Sequence, residues 1–112
     1  MSDCIFCKIA AGEIPAKAIA SDDRFVAFHD IDPKAPVHVL VIPRKHVASL
    51  DAATDAAMLG DLLAFVRETA RSLGVAEAGY RTVINTNANG GQAVAHLHAH
   101  ILGGRQMAWP PG

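Results

Sequence analysis

The stretch AVAHLHAHILGG, residues 93–104, decides how this chain is read. It holds His96, His98 and His100, three of the chain's six histidines, at alternate positions. Successive side chains of a β-strand point to opposite faces. A strand over HLHAHIL, residues 96–102, therefore puts the three imidazoles on one face and Leu97, Ala99 and Ile101 on the other. The apolar face suits a core and the histidine face a site. Histidines two apart lie about 6.6 Å apart at a rise of about 3.3 Å per residue. Two imidazoles at that spacing can converge on a metal with nitrogen ligands at about 2.0–2.1 Å. The outer pair, about 13 Å apart by the same rise, cannot readily share one ion with the middle ring. One ion shared by all three rings is thus the weakest reading, against joint chemistry or a division of tasks. A histidine is also tolerated on a half-exposed strand face, but three together beside a Gly-Gly loop point to a functional site.

That loop is NTNANGGQ, residues 85–92. Gly90 and Gly91 permit positive φ and close backbone approach. Successive N–H groups in such a turn can form an anion-binding nest, and Asn85 and Gln92 add side-chain donors. Asn-Gly is equally a hairpin signal. A donor-rich loop leading into a histidine face sets an anion beside a nucleophile, and neutral imidazole can attack phosphorus through a covalent intermediate.

Further out, YRTVINT (residues 80–86) reads as a strand. KAIASDDRFVAFHD (residues 17–30) reads as a hairpin joined near Asp22 and Asp23. IDPKAP is a loop, and VHVLVI (residues 37–42) is a strand buried on both faces and ended by Pro43. Leu59, Leu62, Leu63, Val66, Ala70 and Leu73 fall on one face of a helix, capped by Thr54 or Asp55 and stopped by Gly74. A short helix over CIFCKIAA is expected behind Asp3 as cap, with Gly12 as its stop. The expected class is α+β: about five mostly antiparallel strands with one long helix packed on them. A length of 112 residues suits a single domain, residues 1–112.

With 51% hydrophobic residues and a net charge of −1, the chain has material for a core and no basic excess for a nucleic-acid polymer or an anionic membrane. The N-terminus lacks the apolar run of a signal peptide, and no segment reaches a membrane span of about 20 residues. The expectation is a cytoplasmic protein. The chain's two cysteines, Cys4 and Cys7, form C-x-x-C. In a reducing compartment such a pair marks metal or redox chemistry more often than a disulfide, though two thiols can also pack as small hydrophobes. A structural zinc site needs four ligands. With no second C-x-x-C, the others must be histidines. Candidates are His29, His38, His46 and the triad. Cys4, Cys7, His46 and His96 would close the coordination and leave His98 and His100 for other work.

HLHAHIL resembles the H-x-H-x-H motif of the histidine triad (HIT) family. IFCKIAAGEIPAK, AFHDIDPKAPVHVLVIPRKHV, NGGQ and LGGRQMAWPPG extend that resemblance almost end to end, toward the Hint branch of histidine triad nucleotide-binding proteins. The resemblance implies a five-stranded antiparallel sheet with a long helix, and a homodimer with one continuous sheet. It implies hydrolysis of purine nucleoside phosphoramidates and aminoacyl adenylates, releasing AMP or GMP. It makes His98 the nucleophile, with His96 and His100 flanking it and His38 beside them. It assigns Asn85, Gly91, Gln92 and Ala93 to the phosphate region and Asp30 to the ribose hydroxyls. Ile5, Phe6, Phe28, His29 and Ile31 form the base pocket, and Trp109, in the tail of residues 103–112, reaches the partner chain. Zinc on Cys4, Cys7, His46 and His96 is implied by bacterial-type triad proteins; the chemistry itself needs no metal. One departure concerns Ala93, where many Hint proteins carry a serine. It gives weight to a second reading, a nucleotide-binding or interaction module with weak catalysis. Dinucleoside polyphosphate hydrolysis fits the tail less well.

Overall fold

In the computed structural model, which describes residues 3–112, the strand Val37–Pro43 (β3) lies at the centre of the sheet. Its run of β-branched and apolar residues is buried from His38 to Pro43, as a strand covered on both faces requires. The hairpin Ala18–Ser21 (β1) and Phe25–His29 (β2) pairs with one side of it. Ala99–Gly103 (β5) pairs with the other side and carries Tyr80–Val83 (β4) beyond it. The order is β1-β2-β3-β5-β4, antiparallel at every pairing. Two helices complete the described chain: Ile5–Ala10 (α1) and Ala56–Ser72 (α2). The expected α+β class is what the structure shows. Met1 and Ser2, part of the expected domain, lie outside the described residues.

Alternation within the strands divides the molecule into two layers. Phe25, Ala27, Val39, Val41, Ala99 and Ile101 turn to one face and meet Leu62, Val66 and Ala70 of α2. Val26, Phe28, Leu40 and Ile42 turn to the other face and meet Phe6 of α1. The α2 stripe is the expected one, except that Leu63 at its margin is 52% exposed. Asp55 caps this helix by accepting from Met58 N–H, and Gly74 follows it with φ of 77°. The cap of α1 differs from expectation. The Cys4 side chain, in place of Asp3, accepts from Cys7 N–H.

Both strands flanking the polar loop are shorter than the sequence pattern suggests. Residues 96–98 run ahead of β5 and leave the ladder. The last β3–β5 pair is Val41 with Ala99, and beyond it Ile42 and Pro43 pair only with β2. His96 N–H turns back to Val94 C=O at 2.8 Å, and Leu97 N–H donates to Val47 C=O at 2.7 Å. β4 stops at Val83 because its pairing with β5 ends at His100. The alternation persists even so: Leu97 lies in the α2-side core with Ala99 and Ile101. No helix among the described residues is long and apolar enough to cross a membrane.

Leu62 is fully buried where α2 meets the sheet. Leu62→Ala is expected to lower unfolding free energy by about 3 kcal/mol, read as a shift of the urea midpoint with an unchanged slope.

Candidate active site and metal centre

Four of the predicted ligands converge at the start of α1. Cys4 and Cys7 stand three residues apart on its first turn. His46 comes from the segment after β3, and His96 is fully buried just ahead of β5. Cys4 Sγ lies 3.3 Å from His96 Nδ1, and Cys7 Sγ lies 3.3 Å from His46 Nδ1 and 3.5 Å from His96 Nδ1. The two Nδ1 atoms are 3.2 Å apart. A tetrahedral ion with bonds of about 2.0–2.3 Å separates its ligand atoms by roughly 3.3–3.8 Å, so these spacings fit a common centre. The other ring nitrogen of His96 settles the tautomer. Nε2–H donates to the Pro43 carbonyl at 2.8 Å, which leaves Nδ1 with its lone pair toward the sulfurs. Burial keeps the His96 pKa below the ordinary histidine value, opposed by that carbonyl, so the ring is neutral as a ligand must be. This cluster of Cys4, Cys7, His46 and His96 can bind a metal.

The middle histidine faces elsewhere. His98 Nδ1–H donates to the carbonyl of His96 at 2.7 Å. Nε2 is then the nitrogen with the lone pair. The edge of Phe6 packs on the imidazole with ring centres 5.1 Å apart, and the His100 ring lies at the same distance on another side.

His38 and His100 meet across the β3–β5 pairing. Lys34 N–H donates to His38 Nδ1 at 2.9 Å, so neutral His38 carries its proton on Nε2. That proton faces His100 Nδ1 at 2.8 Å and Asp30 Oδ2 at 3.3 Å. Burial is the largest influence on His38 and outweighs Asp30, so its pKa falls. His100 is pushed down to about 4, first by burial and then by His98 and His38. Both rings are neutral at pH 7. The His38–Asp30 contact is therefore one between a neutral ring and a carboxylate, not an ion pair.

The remaining predicted residues divide. Phe6 and Phe28 are buried and meet edge-on at 5.6 Å, beside His98. Ile5, His29 and Ile31 stand outside this pair, Ile31 almost wholly exposed. Trp109 is exposed, with the Arg81 guanidinium over its ring at 5.9 Å and Arg81 donating to Ala108 C=O at 2.8 Å. Ala93 lines an open cleft of about 480 Å³ with Cys4, Ile5 and His46.

The polar loop departs from the expected nest. Asn87 and Gly91 have positive φ; Gly90 does not. A Cβ on Gly90 would sit 2.3 Å from the Thr86 carbonyl, so the glycine serves close approach. Gly91 N–H donates to Ala88 C=O and Gln92 N–H to Asn87 C=O. The Gln92 side-chain N–H groups donate to Ala48 C=O at 2.8 Å and Val94 C=O at 2.9 Å, while its oxygen accepts from Asn87 N–H. The expected phosphate donor is a brace. Sequence reasoning also missed the Pro43 carbonyl and the Lys34 N–H; the only trace of the former is that Pro43 closes the buried strand.

The HIT domain model matches residues 11–107. The chain is 54% identical to a HIT-like protein of Synechococcus elongatus, covering 98% of this chain and 97% of that one. Its fold is similar to that of a HIT family hydrolase from Legionella pneumophila, with a TM-score of 0.95 and 49% identity over 98% of this chain and 100% of that one. A histidine triad protein from Clostridium difficile follows at 0.91 and 43%, over 96% of each chain. The chain belongs to the HIT family and has the fold of its hydrolases.

A histidine whose folded pKa lies below its unfolded value loses stability as pH falls, because only the unfolded chain takes up the proton. For His100 the window runs from 6.5 down to about 4. Replacing His100 by Gln is expected to reduce the stability lost between pH 7.5 and pH 5 by about 2 kcal/mol. Urea unfolding of both proteins at the two pH values checks this; contributions from other groups cancel in the difference.

Proposed function

We propose that this protein is a nucleotidyl hydrolase of the Hint kind, cleaving purine nucleoside phosphoramidates and aminoacyl adenylates through His98. The observation that carries the reading is the hydrogen bond from His98 Nδ1–H to the His96 carbonyl. It presents Nε2 as a nucleophile in the neutral state. As Nε2 attacks phosphorus, positive charge grows on the ring and the Nδ1–H bond to the carbonyl strengthens, which favours the transition state over the ground state. In a phosphoramidate the P–N bond breaks and the amine leaves with a proton; in an aminoacyl adenylate the P–O bond to the acyl group breaks and the amino acid leaves as its carboxylate. Water then cleaves the nucleotidyl-histidine and releases the nucleoside monophosphate.

Other residues take supporting parts in this reading. His100, with Nδ1 engaged by His38, carries its proton on Nε2 as a donor for a phosphoryl oxygen. Asp30 binds the ribose hydroxyls, its carboxylate held by Asp32 N–H and His38. Phe6 and Phe28 floor the base slot, and Ile5, His29 and Ile31 are its outer wall. Asn85, Gly91 and Ala93 border the phosphate region, where Gln92 braces the loop. Zinc is the metal that two thiolates and two imidazoles suit best. When bound it would cross-link α1 to the segment ahead of β5, a structural role. We further propose a cytoplasmic homodimer through α2, where Leu63 is exposed, with Trp109 of the tail reaching the other chain's site.

A nucleotide-binding module with weak catalysis is the second reading, favoured by Ala93. Kinetics on adenosine phosphoramidate separate the two. His98→Ala is expected to lower kcat by at least about 10⁴-fold while AMP still binds; retained turnover removes His98 as nucleophile. Ala93→Ser is expected to raise kcat by about 10²-fold if a donor at that position meets developing charge. An unchanged rate means the missing hydroxyl is unimportant.

Elemental analysis of protein purified under reducing conditions is expected to find about one zinc per chain, the stoichiometry of a four-ligand structural site. Less than about 0.1 per chain, with none lost on purification, sinks the zinc assignment.

A further inference from the structure

The two thiols are placed for a second chemistry. Cys4 caps α1 and Cys7 is the third residue inside it, with Cys7 N–H donating to Cys4 Sγ at 3.4 Å. Their sulfurs lie within 4.8 Å of each other in the ligand cluster. A disulfide needs a sulfur separation of about 2.05 Å and Cβ atoms about 3.8 Å apart, so the first turn of α1 must tighten to close one. Both cysteines are half-buried, and the 480 Å³ cleft that Cys4 lines with Ala93 opens a path for a small oxidant.

Phe6 sits between the two cysteines on the same turn. Its ring packs edge-on against His98 at 5.1 Å, His96 at 5.9 Å and Phe28 at 5.6 Å. A second link runs through His96, whose Nδ1 belongs to the thiol cluster and whose carbonyl holds His98. The state of the sulfurs therefore reaches the nucleophile by two routes, one through a side-chain ring and one through the backbone.

We infer that Cys4 and Cys7 form a peroxide-sensitive site whose oxidation expels the metal and weakens nucleotide binding through Phe6 and His96. In the step, hydrogen peroxide oxidises one thiolate to a sulfenic acid and the other thiolate displaces hydroxide from it. The O–O bond breaks and an S–S bond forms. The sulfurs together lose two electrons, the peroxide gains them, and with two protons it leaves as two water molecules while the metal departs as the divalent ion. By reciprocity, bound nucleotide makes the disulfide less favourable at equilibrium to the extent that the disulfide weakens nucleotide binding.

The inference rests on the metal-centre and nucleotide-site assignments above. The test takes zinc-containing protein and treats it with hydrogen peroxide. Four readouts are expected. About one zinc per chain is released, intact mass falls by about 2 Da as two thiols become one disulfide, and the AMP Kd rises about tenfold. The His98 Nδ1–H resonance shifts or broadens with the same dose dependence. Dithiothreitol with added zinc restores the starting Kd and spectrum, which separates disulfide formation from methionine oxidation. Cys7→Ser shows no peroxide-dependent rise in Kd. Zinc retained under excess peroxide overturns the inference, as does a disulfide that leaves the AMP Kd and the His98 resonance unmoved. A reduced protein that takes up no zinc overturns the metal assignment and this inference together. Turnover retained in His98→Ala bears on the nucleophile alone.

Discussion

The buried ring of His96 is held by one hydrogen bond, from Nε2–H to the carbonyl of Pro43, and both halves of the site depend on it. The bond joins the end of β3 to the segment ahead of β5, where the sheet ladder has run out. It assigns the ring's single proton, so Nδ1 turns to the two thiols as a lone pair. The same residue's carbonyl then receives the proton of His98. A donor or acceptor left unmatched at this depth costs about 1–3 kcal/mol. Each of these bonds is thus needed for the buried pair to exist, before any role in chemistry is considered. Among the described residues no buried side-chain nitrogen or oxygen lacks a partner.

The relative sizes of two effects decide the charge state of the site. Asp30 close to His38 would ordinarily raise a histidine pKa, yet burial outweighs it. Burial and the neighbouring rings act in the same direction on His100. His38 and His100, both held neutral, therefore add no positive charge beside the Asp30 carboxylate at neutral pH. In the proposed reaction an anionic phosphate would be met by oriented N–H donors and by charge that appears on His98 only as bonding to phosphorus proceeds. That ordering places stabilisation in the transition state and not in the ground state.

Much of this was legible in the residues, and the larger failures share one physical cause. Alternation over residues 96–102 predicts which side chains meet α2 and which face the site, and the C-x-x-C with His46 and His96 predicts the cluster that the fold brings together. The errors lie where a long-range partner outcompetes the local pattern. Residues 96–98 have strand alternation but leave the ladder, because Leu97 N–H finds the Val47 carbonyl and β3 turns to β2. Gln92 looks like a donor to a ligand until Ala48, distant in sequence, takes one of its protons. Asp3 is the better capping residue by type, but the sulfur of Cys4 holds the cap position. Val47 and Ala48 lie far along the chain from the residues they claim, whereas the cap is a local contact between Cys4 and Cys7.

The spacing of the triad is a fold constraint as much as a chemical one. Leu97, Ala99 and Ile101 are fully or almost fully buried against α2, and His96, His98 and His100 occupy the intervening positions. A slip of one residue would move every side chain to the opposite face and bury imidazoles against leucine. The core therefore fixes which face the histidines occupy, and the end of the ladder at Ala99 fixes how they differ. His100 remains within β5, opposite Leu40 of β3 on one side and Val83 of β4 on the other, and can reach only its cross-strand neighbourhood. His96 lies beyond the last pair, free of the pleat, and can turn to the thiols. His98 stands at the boundary between them. Three chemically identical residues acquire three environments because the strand ends in the middle of the motif.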